Sequence, residues 1–456
     1  MTKWVSFGLL AVTASSAQSQ TPQDPIVKGF MSRHNVPGLA YVILQDGNVV
    51  AHGEYGVEDV AKKTPVTSKS VFPIASLSKP FVALGILYLA EHGKLDLTDS
   101  LGQYVKGLPP DWQTIPLIRL LDHTSGIPDH YNAGKWNVRD PAPISSDVLI
   151  EKLITLPLHF ASGQKYEYSN GNYALLAKVI EKVSGKPYGE FLTEKVFKPL
   201  HMDQAKALTM DDLQKSVTGY RTTNGAPEAI PWNPDWCFGN GALGMSSLDL
   251  AKLDEGLYTD KVVGSSTLKF ITTPQPLNDG TKPAYAMGWM IGVSRGTPFI
   301  SHDGIVSGWR SFFGRFTKFN LTVIVLVNNS TPNLTTVAND LAATVVSDLS
   351  LAPIEDTFTD LTRGDRQFIE ALKAGTMDPT WLSDFMRNDF EKKDHWKGIR
   401  DALQGSGEIT AFVPASRVQK SANEVDTRYR LEQGENVSSI TIQRDRKGIC
   451  IGFFFN

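Results

Sequence analysis

Apolar and polar positions along this chain switch between two spacings, and the switches divide it into elements. Val27 to Val36 carries apolar residues at helical spacing, which predicts an amphipathic helix. Gly38 to Gln45 is an almost unbroken apolar run, Asp46-Gly47 is a hairpin turn signal, and Asn48 to Gly53 continues extended, so two paired strands are predicted. From Leu77 through Phe81, Val82, Leu84, Ile86, Leu87, Leu89 and Ala90 the chain is apolar almost all round, the pattern of a buried helix, and Gly93 caps it. The pattern stays mostly helical to about Leu257, with long Pro- and Gly-rich loops; Tyr173 to Val183 and Pro187 to Val196 are helices within it. Strands return at Trp309 to Phe316 and, after a turn at Lys318-Phe319-Asn320, at Leu321 to Val327, and a helix from Thr336 to Leu349 follows. This order predicts an α/β (α+β) domain over residues 24–350, with a sheet built from both ends of the segment and a mostly helical subdomain inserted between them. A ligand site is expected in the cleft between the two parts.

Leu351 to Asp356 reads as a boundary, after which charge density rises. Arg363 to Ala374 and Trp381 to Phe390 are helical in pattern, and Arg428 to Leu431, Ser439 to Ile442 and Ile449 to Phe454 alternate as strands. Residues 355–456 are therefore expected to form a small accessory α+β domain ending in an antiparallel meander. At 456 residues the chain is long enough for more than one domain. Its composition, 41% hydrophobic and 20% charged, is that of a soluble globular protein. A formal net charge of -3 asks for neither nucleic acid nor an anionic membrane as partner.

At the N-terminus, Lys3 precedes the apolar run Trp4 to Val12, and Ser15-Ser16-Ala17 fits a small-x-small cleavage rule. Residues 1–17 thus read as an export signal, too short to span a bilayer, and the mature chain is expected to be secreted or periplasmic with no membrane span. The two cysteines, Cys237 and Cys450, lack metal-ligand spacing and read as buried thiols, with pairing left open. Nothing in the pattern sets an oligomeric state.

Ser76 and Lys79 bring chemistry to this framework. They lie three residues apart at the entrance to the apolar helix, so helical spacing sets them side by side. A serine hydroxyl becomes a nucleophile when a neighbouring base takes its proton, and a lysine serves if burial favours its neutral form. A helix-capping serine gives the same local sequence, so the rest of the chain has to decide. Further along, Tyr168 and Asn170 form a Tyr-x-Asn pair, Ser301-His302-Asp303-Gly304-Ile305 holds a His-x-Gly, and Leu120 to Pro128 reads Leu-Leu-Asp-His-Thr-Ser-Gly-Ile-Pro. Gly241 to Ser247 is glycine-rich and precedes a helix.

In this order the motifs resemble the serine β-lactamase and penicillin-binding-protein-like superfamily, closest to the class C β-lactamase-like esterases, D-aminopeptidases and DD-peptidases, over roughly Asp24 to Leu349. The resemblance implies a β-lactamase-like antiparallel sheet flanked by helices. It also implies attack by Ser76, proton transfer to Lys79, and Tyr168 as partner base with its phenol activated by Lys79. Asn170 would bond Lys79 or the substrate's acyl amide, Gly304 would admit the substrate to the strand, and the amides of Ser76 and Ile305 would form the oxyanion hole. Ser78 and Tyr166 are the nearest alternatives for nucleophile and phenol, and motif register argues against both. His123 and Ser125 are read as cleft support.

No metal or organic cofactor is implied, and the substrate is a small-molecule or peptide ester or amide. His302 stands where the lactamases carry lysine, and a histidine is mostly neutral near pH 7. Esterase or D-amino-acid peptidase chemistry is therefore ranked above β-lactamase. A relative that binds penicillin without turnover is the alternative of another class.

Overall fold

The computed structural model describes residues 21–133, 136, 140, 142–391, 394–421, 423–434 and 436–455. The run read as an export signal lies outside them. No helix among the described residues is long and apolar enough to cross a membrane.

The organising layer is an eight-stranded antiparallel sheet. Its strand order is Thr64–Pro65, Asn48–Asp59, Gly38–Gln45, Leu321–Val327, Trp309–Phe316, Thr297–Val306, Trp289–Ser294 and Tyr285–Ala286. The N-terminal hairpin thus sits beside the last strand of the unit, with Tyr41 opposite Val325. Asp46 and Gly47 both take positive φ, 51° and 76°, as a tight hairpin between right-twisted strands requires.

The central strands are continuous in hydrophobicity because both of their faces are covered. Ala40, Val42, Leu44, Ile324 and Leu326 face the large helical core. Their neighbours Leu39, Tyr41, Ile43, Val323 and Val325 face a second core against Asp24–His34 and Thr335–Ala343. The result is a sheet between two helical layers.

The helix Lys79–Glu91 runs through the large core, packed beside Asn170–Ser184, which ends at Gly185 with φ 71°. Between them the chain is less regular than its pattern predicts. Short helices alternate with loops, and small strands appear at Lys206–Ala207, Tyr220–Thr223, Ala226–Ala229 and Leu243–Met245. The predicted helix from Thr336 to Leu349 is shorter, stopping at Ala343 before a separate turn at Ser347–Leu349. His302-Asp303-Gly304, expected just ahead of the late strands, lies inside one of them, Thr297–Val306.

Residues beyond the boundary pack a core of their own. Phe368, Leu372, Trp396 and Leu403 from helices meet Tyr429, Leu431, Ile440 and Phe453 from a four-stranded antiparallel meander, Ala411–Ser421, Glu424–Gln433, Asn436–Asp445 and Cys450–Phe455. The first of these strands and the helix Asp394–Gly405 were not legible in the pattern. Arg428 fastens this unit to the large sheet, donating to the carbonyls of Arg295 at 2.9 Å, Asp348 at 2.5 Å and Ser350 at 3.0 Å. Cys237 and Cys450 are both buried and both free thiols.

Candidate active site

Ser76 stands in a 3-10 turn, Ala75–Ser78, held between two rails. On one side the strand Phe72–Pro73 pairs with Leu243–Met245, and Ile74 N donates to Leu243 O at 3.0 Å. On the other side Ser311 Oγ donates to Ile74 O at 2.6 Å. Gly304 lies against the same carbonyl: a Cβ there would sit 2.2 Å from Ile74 O and 2.4 Å from Ser311 Oγ, so the strand passes this close only with glycine. Between the rails Ala75 is forced to φ 52°, a left-handed conformation that costs an L-residue about 1–2 kcal/mol. Ser76 comes next and is partly exposed, whereas Ser78 is buried, with its Oγ accepting from Leu243 N.

Lys79 is completely buried, and its Nζ has three oxygen neighbours: Asn170 Oδ1 at 2.8 Å, the Asn240 carbonyl at 3.0 Å and Ser76 Oγ at 3.0 Å. Burial draws its pKa from 10.5 down to about 7, opposed first by the Asp129 carboxylate. In the neutral form two N–H groups satisfy Asn170 and Asn240, and the lone pair is left for the Ser76 hydroxyl. This arrangement lets Lys79 take a proton from Ser76.

The phenol behaves differently from expectation. Tyr168 lies with its ring centroid 4.8 Å from Lys79 Nζ, yet burial lifts its pKa well above the ordinary value, against the Ser76 contact that lowers it. Burial thus favours the protonated phenol near neutrality, beside an amine whose pKa is drawn down into that range. Tyr166, more exposed, is also pushed up, to about 12.

The segment that carries Tyr168 and Asn170 is shaped by the loop around His123. Glu167 N donates to His123 O at 3.0 Å and Ser169 N to His123 Nδ1 at 3.2 Å, one bond on each side of Tyr168. The imidazole lies 4.3 Å from the Tyr168 ring, centroid to centroid. Asn172 Nδ2 also reaches His123 Nδ1, at 3.1 Å, so that nitrogen is the acceptor and the proton is on Nε2. Ser125 Oγ donates to Asn172 Oδ1 at 2.6 Å, and Asn170 donates from both its N and its Nδ2 to Asp129 Oδ1.

His302 is buried and fully engaged. Its Nδ1 donates to Asp303 O at 2.6 Å, so its Nε2 accepts from Tyr285 OH at 3.0 Å. Burial, reinforced by Lys79, lowers its pKa to about 3, so it carries no charge in the physiological range. Arg310, opposite Ile305 on the neighbouring strand, keeps its charge and donates from Nε to Ser330 O at 3.0 Å. The neighbouring strand Trp289–Ser294 pairs only as far as Ser301, so residues 302–306 present an edge it does not cover, with Ile305 exposed. Among the described residues no group of three or more His, Cys, Asp or Glu side chains is arranged to hold a metal ion.

The pattern missed three contributors. Asn240 acts through its carbonyl, which no side-chain motif reports. Tyr285 sits on a two-residue strand too short for periodicity. Asp129 directly follows the Leu120 to Pro128 stretch, and only its contact with Asn170 marks it out.

A penicillin-binding protein of Bacillus subtilis (strain 168) is 29% identical over 304 residues, covering 62% of this chain and 66% of that protein, just short of two thirds of its length. Among solved structures, the D-amino acid amidase of Ochrobactrum anthropi SV3 superposes with a TM-score of 0.62 at 20% identity, over 71% of this chain and 96% of that one. The octameric penicillin-binding protein homologue of Pyrococcus abyssi superposes with a TM-score of 0.63 at 19% identity, over 95% of this chain and 98% of that one. These two likenesses are of fold. A family model, Beta-lactamase, matches residues 24–347, the sheet and both of its helical layers, and the chain belongs to that family.

Proposed function

We propose that this chain is a serine hydrolase that cleaves an ester or amide through an acyl-enzyme on Ser76, with esterase or D-amino-acid amidase and peptidase chemistry ahead of β-lactam hydrolysis. The observation that carries the reading is the buried Lys79 amine, 3.0 Å from Ser76 Oγ, with a pKa of about 7.

Neutral Lys79 takes the hydroxyl proton as Ser76 Oγ bonds to the substrate carbonyl carbon. The oxyanion forms against the amides of Ser76, in the first turn ahead of its helix, and Ile305. Tyr168 gives its proton to the departing amine or alcohol and recovers one from Lys79, and the carbonyl-to-leaving-group bond breaks. In deacylation a water molecule gives its proton to the same pair and attacks the ester. Its carbonyl–Oγ bond then breaks, and the proton returns to Ser76. The proton count closes without a redox group.

The uncovered strand edge at 302–306 suits an extended acyl or peptide segment. Neutral His302 beside the Asp303 carboxylate offers no anchor for a substrate carboxylate, which is the argument against efficient β-lactam hydrolysis.

Intact-protein mass spectrometry with p-nitrophenyl acetate, a D-amino acid amide and a chromogenic cephalosporin, with product release followed alongside, tests the reading. A transient adduct on Ser76 with continued release from ester or amide is expected, and none from Ser76→Ala. Turnover retained by purified Ser76→Ala sinks the assignment. A persistent cephalosporin adduct without release from any substrate identifies a binding protein instead.

A further inference from the structure

Asp129 stands outside the serine, lysine and tyrosine set and is tied to its geometry. Its Oδ1 accepts from Asn170 N at 3.3 Å and from Asn170 Nδ2 at 3.1 Å, and its Oδ2 accepts from Asn132 Nδ2 at 3.0 Å. A carboxamide that donates through Nδ2 to a fixed carboxylate has to turn its oxygen the other way. That oxygen is the one Lys79 reaches, at 2.8 Å. Rotated by half a turn, Asn170 would set its NH2 against the lysine amine and its oxygen against the carboxylate, losing both bonds. Asn170 therefore has one satisfactory orientation, and Asp129 selects it.

Resting on the hydrolase reading above, we propose that Asp129 is a positioning residue, which locks the Asn170 carboxamide with its oxygen toward Lys79 and sets the electrostatic environment of the amine that faces Ser76. The carboxylate is the strongest influence opposing burial at Lys79. Removing its charge leaves the ammonium form less favoured, so Lys79 becomes neutral at lower pH.

The other groups around Lys79 do not mimic this effect. From the same loop come His123 and His130, and from the facing strand His302; burial lowers the pKa of all three. Tyr168 and Tyr173, from the helix side, are held protonated by burial, as is the Cys237 thiol. Asp303, the remaining carboxylate, is present in wild type and variant alike.

The test is the pH dependence of kcat for p-nitrophenyl acetate in Asp129→Asn, Asp129→Ala and Asp129→Glu. Asparagine keeps an oxygen for Asn170 and loses the charge. The acid limb is expected to move down by about 0.5–1 pH unit, with the plateau within about threefold of wild type. Alanine also releases the carboxamide, and its plateau is expected to fall about tenfold or more, restored by asparagine. Glutamate keeps the charge but displaces it, so the plateau drops while the limb moves less than in Asp129→Asn.

A folded Asp129→Asn with an unmoved acid limb overturns the proposal. If Asp129→Asn does not fold, an unmoved acid limb in Asp129→Ala, which removes the same charge, overturns it equally. Failure of the parent reading looks different, since wild type then gives no acyl adduct on Ser76; an adduct with an unmoved Asp129→Asn limb sinks this inference alone.

Discussion

Replacing Lys79 by methionine tests the electrostatics of the buried amine without any substrate. Lys79 is fully buried, and its pKa falls from 10.5 to about 7 on folding. Between those values the unfolded chain holds a proton that the folded chain has released, so stability rises with pH across the window. The folded value is the depressed one: the contribution is complete above 10.5, is lost as pH falls toward about 7, and changes no further below it.

Each pH unit inside the window is worth about 1.4 kcal/mol. Allowing for partial titration near both edges, wild type should gain about 2–3 kcal/mol on Lys79→Met between pH 7.5 and 9.5, because methionine has nothing to titrate. The variant also leaves Ser76 Oγ, Asn170 Oδ1 and the Asn240 carbonyl without their hydrogen-bond partner. That cost is the same at each pH, so it offsets the two curves without changing the slope between them. Urea unfolding of both proteins at pH 7.5, 8.5 and 9.5 gives the difference directly, since the remaining titrating groups are shared. A difference that stays constant to within about 0.5 kcal/mol would refute the argument, because Lys79 would then hold its proton equally in both states.

Other consequences follow from the same geometry. Tyr168→Phe should lower kcat by about 10²- to 10⁴-fold while leaving the acid limb near pH 7, because that limb belongs to Lys79; a limb that disappears with the phenol would return the base role to Tyr168. The KM ratio between a substrate bearing a free carboxylate beside the scissile bond and its primary amide should follow the same pH course from pH 5 to 7.5 in wild type and in His302→Gln, since Lys79 titrates in both and His302, at about 3, has no proton to gain there. A carboxylate preference that grows toward pH 5 in wild type and not in His302→Gln would contradict the neutral assignment. Cys237 and Cys450, both buried and both pushed up in pKa by burial, should resist a thiol reagent in the native protein at pH 8 and react together in denaturant; prompt native labelling of either would contradict the packing.

The strands Gly38–Gln45, Trp309–Phe316 and Leu321–Val327 stand where the apolar runs predict them, residue for residue. Each lies in the middle of the sheet with both faces covered, so burial keeps Gly38–Gln45 and Leu321–Val327 almost continuously apolar, while Trp309–Phe316 reads as a strand from its aromatic residues around Arg310, Ser311 and Arg315. Trp289–Ser294 and Thr297–Val306 left no such run because their exposure is mixed along their length. The outer halves of the C-terminal strands escaped for a related reason: polar and exposed positions, such as those around Val418, interrupt the alternation.

The nearness of Ser76 and Lys79 is also local, because one helical turn brings i and i+3 together whatever surrounds them. What surrounds them is not local. The acceptor carbonyl of Asn240, the carboxylate of Asp129 and the bond from Tyr285 to His302 come from segments far apart in the chain. The sequence by itself determined which groups can exchange protons. Only the tertiary structure decided which of them holds a proton near neutrality, because proton affinity depends on burial and on charges brought in by distant segments. Burial and those charges draw the amine of Lys79 toward its neutral form and hold the proton on the Tyr168 phenol, which is why the proposed mechanism gives the base role to Lys79.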